Sequence, residues 1–358
     1  MSLRLEARAE PSRAMVFAAP VIAIAATLCL GGILFAALGF DPFAALEAFF
    51  IEPVSTVYGL SELFLKAAPL ALIGVGLALG FRGNVWNIGA EGQLIIGAVA
   101  GGGMALALYD VSGLWVMPCV LAAGVAGGAA YAAVPALLRT RFHANEILTS
   151  LMLNYVATLF LGWLVHGPWR SPEGYNFPES RMFTDSALLP LLAEGTRLHV
   201  GVLFAPLAAA VTWVIVSRSF LGFQIKVIGM TPAAGSFAGF GPRRVIWFTL
   251  MFGGGLAGLA GAMEVAGPIG QLVPIVSPGY GYTAIIAAFL GRLHPFGILL
   301  SSLLLALIYL GGDAAQIALA VPFAVTQVFQ GMVLFFLLAA DVLIRYRVRF
   351  DAPRSVAP

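Results

Sequence analysis

The chain has 358 residues, of which 60% are hydrophobic and 10% are charged, and its formal net charge is +2. Soluble domains carry roughly 25% charged residues, so this composition, with a mean hydropathy of +0.96, excludes an ordinary soluble domain and predicts an integral membrane protein. At about 20 apolar residues per span, the length accommodates eight to ten crossings. The small net charge gives no indication of nucleic-acid binding.

The sequence shows no pattern typical of a metal, catalytic or ATP-binding site. Cys29 and Cys119 lie in apolar runs, and the four histidines are scattered without metal-ligand spacing. Neither Lys66 nor Lys226 follows a glycine, so the chain has no phosphate-binding loop of the GxxxxGK[ST] type. If transport by this chain is driven by ATP, another chain must carry the ATPase.

The amino-terminal part predicts a cytoplasmic tail and a first crossing. Residues 1–14 carry three arginines and are predicted to be cytoplasmic, and an apolar run follows from Met15 to about Leu38. That run exceeds the roughly 7–15 residues of a signal-peptide core, so we interpret it as an uncleaved span. Residues 40–58 are mixed in character and predict an external loop that can contain an interfacial helix.

The second span is predicted from Gly59 to Phe81 and contains two charged residues. Glu62 and Lys66 are spaced i,i+4, which favours a helical ion pair near the outer end of the span. A binding role for the two residues is the alternative interpretation.

A polar cluster then interrupts the apolar pattern within the stretch GFRGNVWNIGAEGQLIIGAVAGG, residues 80–103. Polar groups at membrane depth are costly, and they usually line a water-filled path or pair with one another. The stretch is either a short cytoplasmic loop or a broken helix that lines a translocation path. Its polar residues are Arg82, Asn84, Asn87, Glu91 and Gln93.

Three further spans are predicted over residues 92–108, 114–138 and about 145–166. Asn145 suits a helix N-cap at the start of the fifth span. Asn154 lies more than two turns into that span, where a side-chain amide needs a hydrogen-bonding partner.

The middle of the chain contains two polar segments on either side of the sixth span, residues 200–216. Residues 167–198 hold four prolines and interspersed charges and predict a long external loop. Residues 217–244 are too polar to cross the membrane and predict a cytoplasmic segment. Within it, Thr231 can cap a short helix that has Pro232 at its first position. This helix is either a docking element or an ordinary amphipathic connector.

The carboxyl-terminal part predicts four more spans. The seventh, residues 245–265, contains Gly254 and Gly258 at a spacing that allows close helix contact. A Gly- and Pro-rich segment follows, which predicts a re-entrant or external stretch before a short eighth span at residues 282–290. The ninth span covers residues 296–310, Asp313 lies in a predicted external turn, and the tenth span covers residues 321–344. Residues 345–358 predict a cytoplasmic tail.

The distribution of basic residues predicts the orientation. In this arrangement the only external ones are Arg170, Arg181 and Arg197, which share one loop, while 15 lie on the cytoplasmic side. The predicted fold is therefore an all-α, polytopic transmembrane bundle of about ten spans over residues 15–344, with both termini cytoplasmic. The Gly-interrupted segments 83–92 and 279–291 lie in opposite halves, which suggests an internal repeat with a path between the halves.

Three stretches resemble the permease subunits of ATP-binding-cassette importers for ribose, simple sugars and nucleosides. They are GNVWNIGAEGQLIIGA, HANEILTSLMLNYVA and IGMTPAAGSFAGF, and the resemblance extends from about Leu38 to Asp341. The NIGAEGQ form resembles the nucleoside branch. The third stretch resembles the cytoplasmic coupling segment that docks on the ATPase, which implies a docking role for Gly229, Thr231, Pro232, Ala234, Gly235 and Gly239.

The resemblance also implies a location and a set of partners. The location is the bacterial plasma (inner) membrane, where the chain contacts lipid. The partners are an ATPase dimer that holds ATP and magnesium, a substrate-binding lipoprotein or periplasmic protein, and a second, shorter permease that forms a heterodimer. No cofactor is expected on this chain, and it is not expected to be an enzyme.

The predicted function is a permease that moves nucleosides, nucleobases or related sugars by alternating access. The residues expected to line its path are Asn84, Asn87, Glu91, Gln93 and Asn154. Asn87 and Glu91 can equally serve as a helix cap and a dipole partner. One alternative is a simple-sugar permease, and another is an ion-coupled carrier, which would need intramembrane carboxylates. An intramembrane enzyme would need a nucleophile–base pair or metal ligands, which no cluster offers.

Overall fold

A computed structural model describes residues 2–7, 13–322 and 324–351, and these residues are mostly helical. The elements, in chain order, are β1 Ser2–Ala7, α1 Arg13–Ala37, α2 Pro42–Phe50, α3 Val57–Arg82, α4 Ala90–Ala107, α5 Val116–Phe142, α6 Glu146–His166, α7 Phe204–Arg218, α8 Phe220–Met230, α9 Pro232–Phe237, α10 Pro242–Glu264, α11 Tyr280–Leu290, α12 Pro295–Leu319, α13 Ala324–Arg345 and β2 Tyr346–Asp351. Short 3₁₀ turns precede α3 and α7, and a π-helical turn extends α10 to Ile269.

Seven helices among the described residues are long and apolar enough to cross a membrane. They are α3, α4, α5, α6, α7 with its preceding turn, α10 with its π-helical extension, and α12. The predicted first and eighth spans correspond to the shorter apolar helices Val21–Ala37 and Tyr280–Leu290. The chain is therefore a helical, multi-pass membrane protein, whereas the number of about ten crossings stays a prediction.

The structure corrects the prediction of an external turn around Asp313. Helix α12 continues through this residue and ends at Leu319. The pair of glycines before Asp313 resembles a turn in sequence, but the following residues are good helix formers. The first proline after them is Pro322, and helices commonly end shortly before a proline.

The local structure of two connecting segments agrees with the sequence, while their position relative to the membrane stays a prediction. The predicted interfacial helix is α2, which begins with Pro42 and has the Asp41 carboxylate accepting a hydrogen bond from the Phe43 amide at 2.9 Å. The predicted long loop contains no α-helix between Gly167 and His199.

The chain divides into two compact units, of which the smaller contains residues up to Ser55 and from Leu307 onward. Within it, the rings of Phe35 and Phe49 pack against Phe329, with centroids 5.5 and 4.7 Å apart respectively. Strands β1 and β2 pair antiparallel, a ribbon that the all-α prediction did not include. Their alternating sequences, SLRLEA and YRVRFD, have the period of two that is typical of strands.

The larger unit, residues 56–306, is built around the close contact of α4, α5 and α10. Glycines line the contact on all three helices: Gly97 on α4, Gly124 and Gly128 on α5, and Gly254 and Gly258 on α10. A Cβ atom at any of these five positions would overlap a backbone or side-chain atom of a neighbouring helix. The three helices therefore meet backbone to backbone, as small residues allow in membrane proteins.

The glycine contact predicts a stability loss on Gly258→Ala. The new methyl group would overlap the carbonyl oxygen of Gly124, so α5 and α10 must separate. We expect a loss of about 1–3 kcal/mol, as for overpacked cores, measured by thermal unfolding of the purified protein. Gly162→Ala on α6 is the matched control, because nothing lies within 4 Å of its Cβ position. Equal unfolding temperatures for the two variants would contradict the prediction.

Candidate functional site

The chain is non-helical between α3 and α4, at residues 83–89, and most of this break is enclosed by other helices. Asn84 has a left-handed backbone (φ 54°), which lets the chain turn after α3. Asn84 itself is exposed, and its side chain accepts a hydrogen bond from the Trp86 ring at 3.0 Å. Helix ends leave backbone N–H and C=O groups without intrahelical partners, so the buried part of the break requires other partners.

The first of these partners is a pair of buried side-chain amides. Asn87 donates to the Gln93 carbonyl at 2.8 Å, and Gln93 donates back to Asn87 at 3.1 Å. The Asn87 oxygen also accepts from the amide of Gly89 at 3.0 Å. The pair thereby links the first turn of α4 to the non-helical residues before it.

The second partner is Asn154, which reaches the break from α6. Its oxygen accepts from the Gly92 amide at 2.9 Å, and its NH₂ group donates to the Ile88 carbonyl and the Tyr282 hydroxyl at 3.0 and 2.9 Å. The hydroxyl of Ser150, one turn earlier on α6, accepts from the Ile88 amide at 3.2 Å. The prediction that Asn154 needs a partner is confirmed, and it has three.

The third partner is Glu91, which joins the break to α11. Its carboxylate accepts from the backbone amide of Gly281 at 2.6 Å and from the Ser277 side chain. A carboxylate at a helix N-terminus interacts favourably with the helix dipole. The contact brings together the two Gly-interrupted segments that the sequence places in opposite halves.

We call Asn87, Glu91, Gln93 and Asn154 the break network. All four are at most 6% exposed, and in this conformation they bond to one another, to backbone groups and to neighbouring side chains. The network stabilises the helix break, and a role of these residues and Asn84 in lining a substrate path stays a prediction. Sequence reasoning missed Ser150 and Tyr282. Ser150 could have been found, because it lies four residues before Asn154 on the same helix face.

The predicted cytoplasmic segment folds as two helices, α8 and α9, joined at Thr231. Helix α9 begins with Pro232 at its first position, as predicted. The predicted capping by the Thr231 side chain is wrong: its hydroxyl makes no capping hydrogen bond, whereas its backbone carbonyl accepts from Gly235 at 3.1 Å.

Glycines fix the position of these two helices. A Cβ atom at Gly229 would overlap the carbonyl of Arg82 at the end of α3, and one at Gly235 would lie 2.8 Å from Ile228 on α8. Gly239 ends α9 with a left-handed backbone (φ 78°), as is common after a helix C-terminus. The outer face of α9 includes Ala234 and Phe237, and the ring of Phe237 is 98% exposed. Sequence reasoning missed Phe237.

A multi-pass helical bundle with a buried helix break and an exposed short helix between spans is an arrangement suited to a membrane transport subunit. Residues 59–338 match the family described as the permease component of the branched-chain amino acid transport system. The chain belongs to this family, so it is a permease component of a transporter and not an enzyme.

Relatives of known transport systems match most of the chain. It is 35% identical to the glucose ABC transporter permease protein TsgB13 of Haloferax volcanii, over 100% of this chain and 97% of that one. It is 28% identical to the guanosine ABC transporter permease protein NupP of Bacillus subtilis, over 92% and 94%. A second guanosine permease of that organism, NupQ, is 26% identical over 70% and 77%. These relatives confirm the predicted resemblance to sugar and nucleoside permeases. No solved structure matches the chain.

The break network predicts a large effect of Asn154→Leu. The substitution leaves the Gly92 amide and the Ile88 carbonyl buried without their partner, so we expect a loss of about 3 kcal/mol. Thr158→Val is a matched control on α6, because its hydroxyl bonds only to the Asn154 carbonyl of its own helix. Thermal unfolding of both purified variants measures the difference, and equal stability would exclude a stabilising network.

His199 lies at the predicted external end of this unit, immediately before the span at residues 200–218. Its ring is 2% exposed and packs beside Gly267, and its Nδ1 accepts from the Gly201 amide at 3.1 Å. Burial lowers the pKa of His199 from 6.5 to about 4. The folded protein therefore holds this side chain neutral under conditions in which the unfolded chain binds a proton.

The lowered pKa of His199 predicts that the folded protein becomes less stable as the pH falls. Between pH 6.5 and 4 the unfolded chain binds a proton at His199 that the folded chain does not, so stability falls by about 2 kcal/mol at pH 5. In His199→Asn, which retains a side chain able to cap the following turn, we expect a smaller drop in unfolding temperature from pH 7.5 to pH 5. An identical drop in both proteins would show that His199 does not carry the effect.

Proposed function

We propose that this permease imports a compound containing a sugar ring, either a nucleoside or a simple sugar, by alternating access. The observation that carries this proposal is the nearly full-length likeness to both TsgB13 and NupP. The substrates in their printed names, glucose and guanosine, have a hydroxylated sugar ring in common. The same likeness supports a location in the plasma membrane with both termini cytoplasmic.

The proposed transporter contains a second permease, an ATPase dimer that holds ATP and magnesium, and a substrate-binding protein. Bacillus subtilis has two guanosine permeases, NupP and NupQ, that both resemble this chain. That pair supports a heterodimer of related permeases, with the substrate path between them. The ATPase and the binding protein follow from the class of transporter.

In this proposal α9 docks on the ATPase through its exposed outer face. Thr231, Pro232 and Ala234 lie on that face with Phe237, while Gly229 and Gly235 hold the helix against α8 and the end of α3. The contact of Gly229 with Arg82 adjoins the break at Gly83. Closure of the ATPase dimer would therefore move α8 and α9 and, through this contact, the break network. Substrate would meet the polar residues of the network when that motion opens it.

Uptake by cells tests the proposal. A strain that lacks the gene should lose uptake of labelled guanosine, D-ribose or D-glucose and regain it with the wild-type gene. The variant Phe237→Ser should restore less than about a tenth of that uptake, because an exposed aromatic anchor at an interface contributes about 2 kcal/mol or more.

The matched control is Phe177→Ser, which changes an exposed phenylalanine of the external loop. It should restore uptake fully, with all permeases at equal levels in the membrane. Full uptake with Phe237→Ser would contradict docking through α9. Unchanged uptake of all three compounds in the deletion strain would contradict the proposed substrate class.

A further inference from the structure

A second polar site lies at the predicted external end of α3, apart from the break network. Here a cavity of about 190 Å³ is lined by residues of α3, α10, the external loop and the start of α11. Its polar lining consists of Glu62, Lys66, Arg197, Glu264 and Tyr280. We call this the outer cavity.

Both acidic and basic side chains line the outer cavity. Arg197, from the external loop, donates two hydrogen bonds to the buried carboxylate of Glu62, at 3.0 and 2.5 Å. A pair of Glu62 with Lys66, which their i,i+4 spacing favours, stays a prediction, and the structure shows a partner of Glu62 in Arg197, 135 residues away. Glu264 lies within electrostatic range of Glu62, Lys66 and Arg197. Two acidic and two basic side chains thus line one small space.

Such a cluster is poorly explained by stability alone. Removing charges from water is costly, and apolar residues of similar volume often replace a buried ion pair without loss. Arg197 has five N–H donors, of which two bond to Glu62, and the Tyr58 side chain also bonds to Arg197. Arg197 therefore has N–H donors beyond those bonded to Glu62 and Tyr58, and its half-exposed side chain lines the cavity.

We propose that the outer cavity binds the hydroxyl groups of one sugar ring. Carboxyl groups exchange hydrogen bonds with hydroxyls, and cations donate to hydroxyl oxygens, so this lining matches the ring hydroxyls of a sugar. A cavity of about 150 Å³ holds benzene in another protein, so 190 Å³ suffices for a single ring but not for a whole nucleoside. The inference rests on the proposed function and names the part of the substrate that this site recognises.

The position of the outer cavity connects it to the break network. Tyr280 lines the cavity, and the next residue, Gly281, donates to Glu91 of the network. A sugar bound in the outer cavity would thus contact Tyr280, which is next in sequence to the residue that bonds to Glu91 of the break network.

Binding of D-ribose, D-glucose and guanosine to the purified transporter without ATP tests the inference. With both permeases and the ATPase in nanodiscs, saturation-transfer NMR should show binding of the sugar protons to the wild type. Glu264→Gln and Arg197→Lys should each weaken that binding at least tenfold. Arg170→Lys, in the same loop but outside the cavity lining, should leave binding unchanged.

The outcomes separate this inference from the proposed function. Unfolding temperatures identify any variant that fails to fold, and the milder Arg197→Lys keeps the comparison possible in that case. Equal binding by the wild type and both cavity variants would overturn the inference, as would the absence of binding in a transporter that imports these compounds. If the cavity variants weaken sugar binding but cells show no uptake of these compounds, the proposed function is contradicted and the inference is not.

Discussion

The larger unit of this permease depends on how the helix break at residues 83–89 satisfies its hydrogen bonds inside an apolar bundle. Each buried polar group without a partner costs about 1–3 kcal/mol, and the break leaves several backbone N–H and C=O groups without intrahelical partners. Asn87 and Gln93 bond to each other, while Asn154 binds both sides of the break from α6. Glu91 adds a link to the start of α11. Four side chains thereby hold α3, α4, α6 and α11 together at one point.

Glycine contacts give the rest of the unit its geometry. The backbones of α4, α5 and α10 touch where Gly97, Gly128 and Gly258 lie, which leaves no space for adjustment between these helices. By contrast, α9 has an exposed outer face and packs mainly on α8, where Gly235 meets Ile228, with a smaller contact to α10. A rigid centre with a projecting short helix suits a subunit that is moved by a partner and transmits the motion to its own helix break.

Much of this architecture follows from the sequence, for identifiable reasons. Long apolar runs predicted helices α3 to α7, and the polar residues at positions 84–93 and Asn154 pointed to the site, because amides at membrane depth require partners. The sequence could not specify which groups they bond, since Asn154 meets Tyr282 across 128 positions and Glu62 meets Arg197 across 135. The two glycines before Asp313 led to the wrong prediction of a turn, because the helical propensity of the flanking residues exceeds the cost of two glycines in the helix.

Hydrogen–deuterium exchange of the assembled transporter tests the central role of the break network most directly. Peptides that cover residues 84–94 should exchange as slowly as those from the middle of α4, because the amides of Gly89 and Gly92 donate to buried side-chain oxygens. Peptides around the exposed residues Tyr175 and Asn176, in the long loop between α6 and α7, provide the fast reference. Exchange of residues 84–94 at the rate of that loop would contradict a break held closed by its own network.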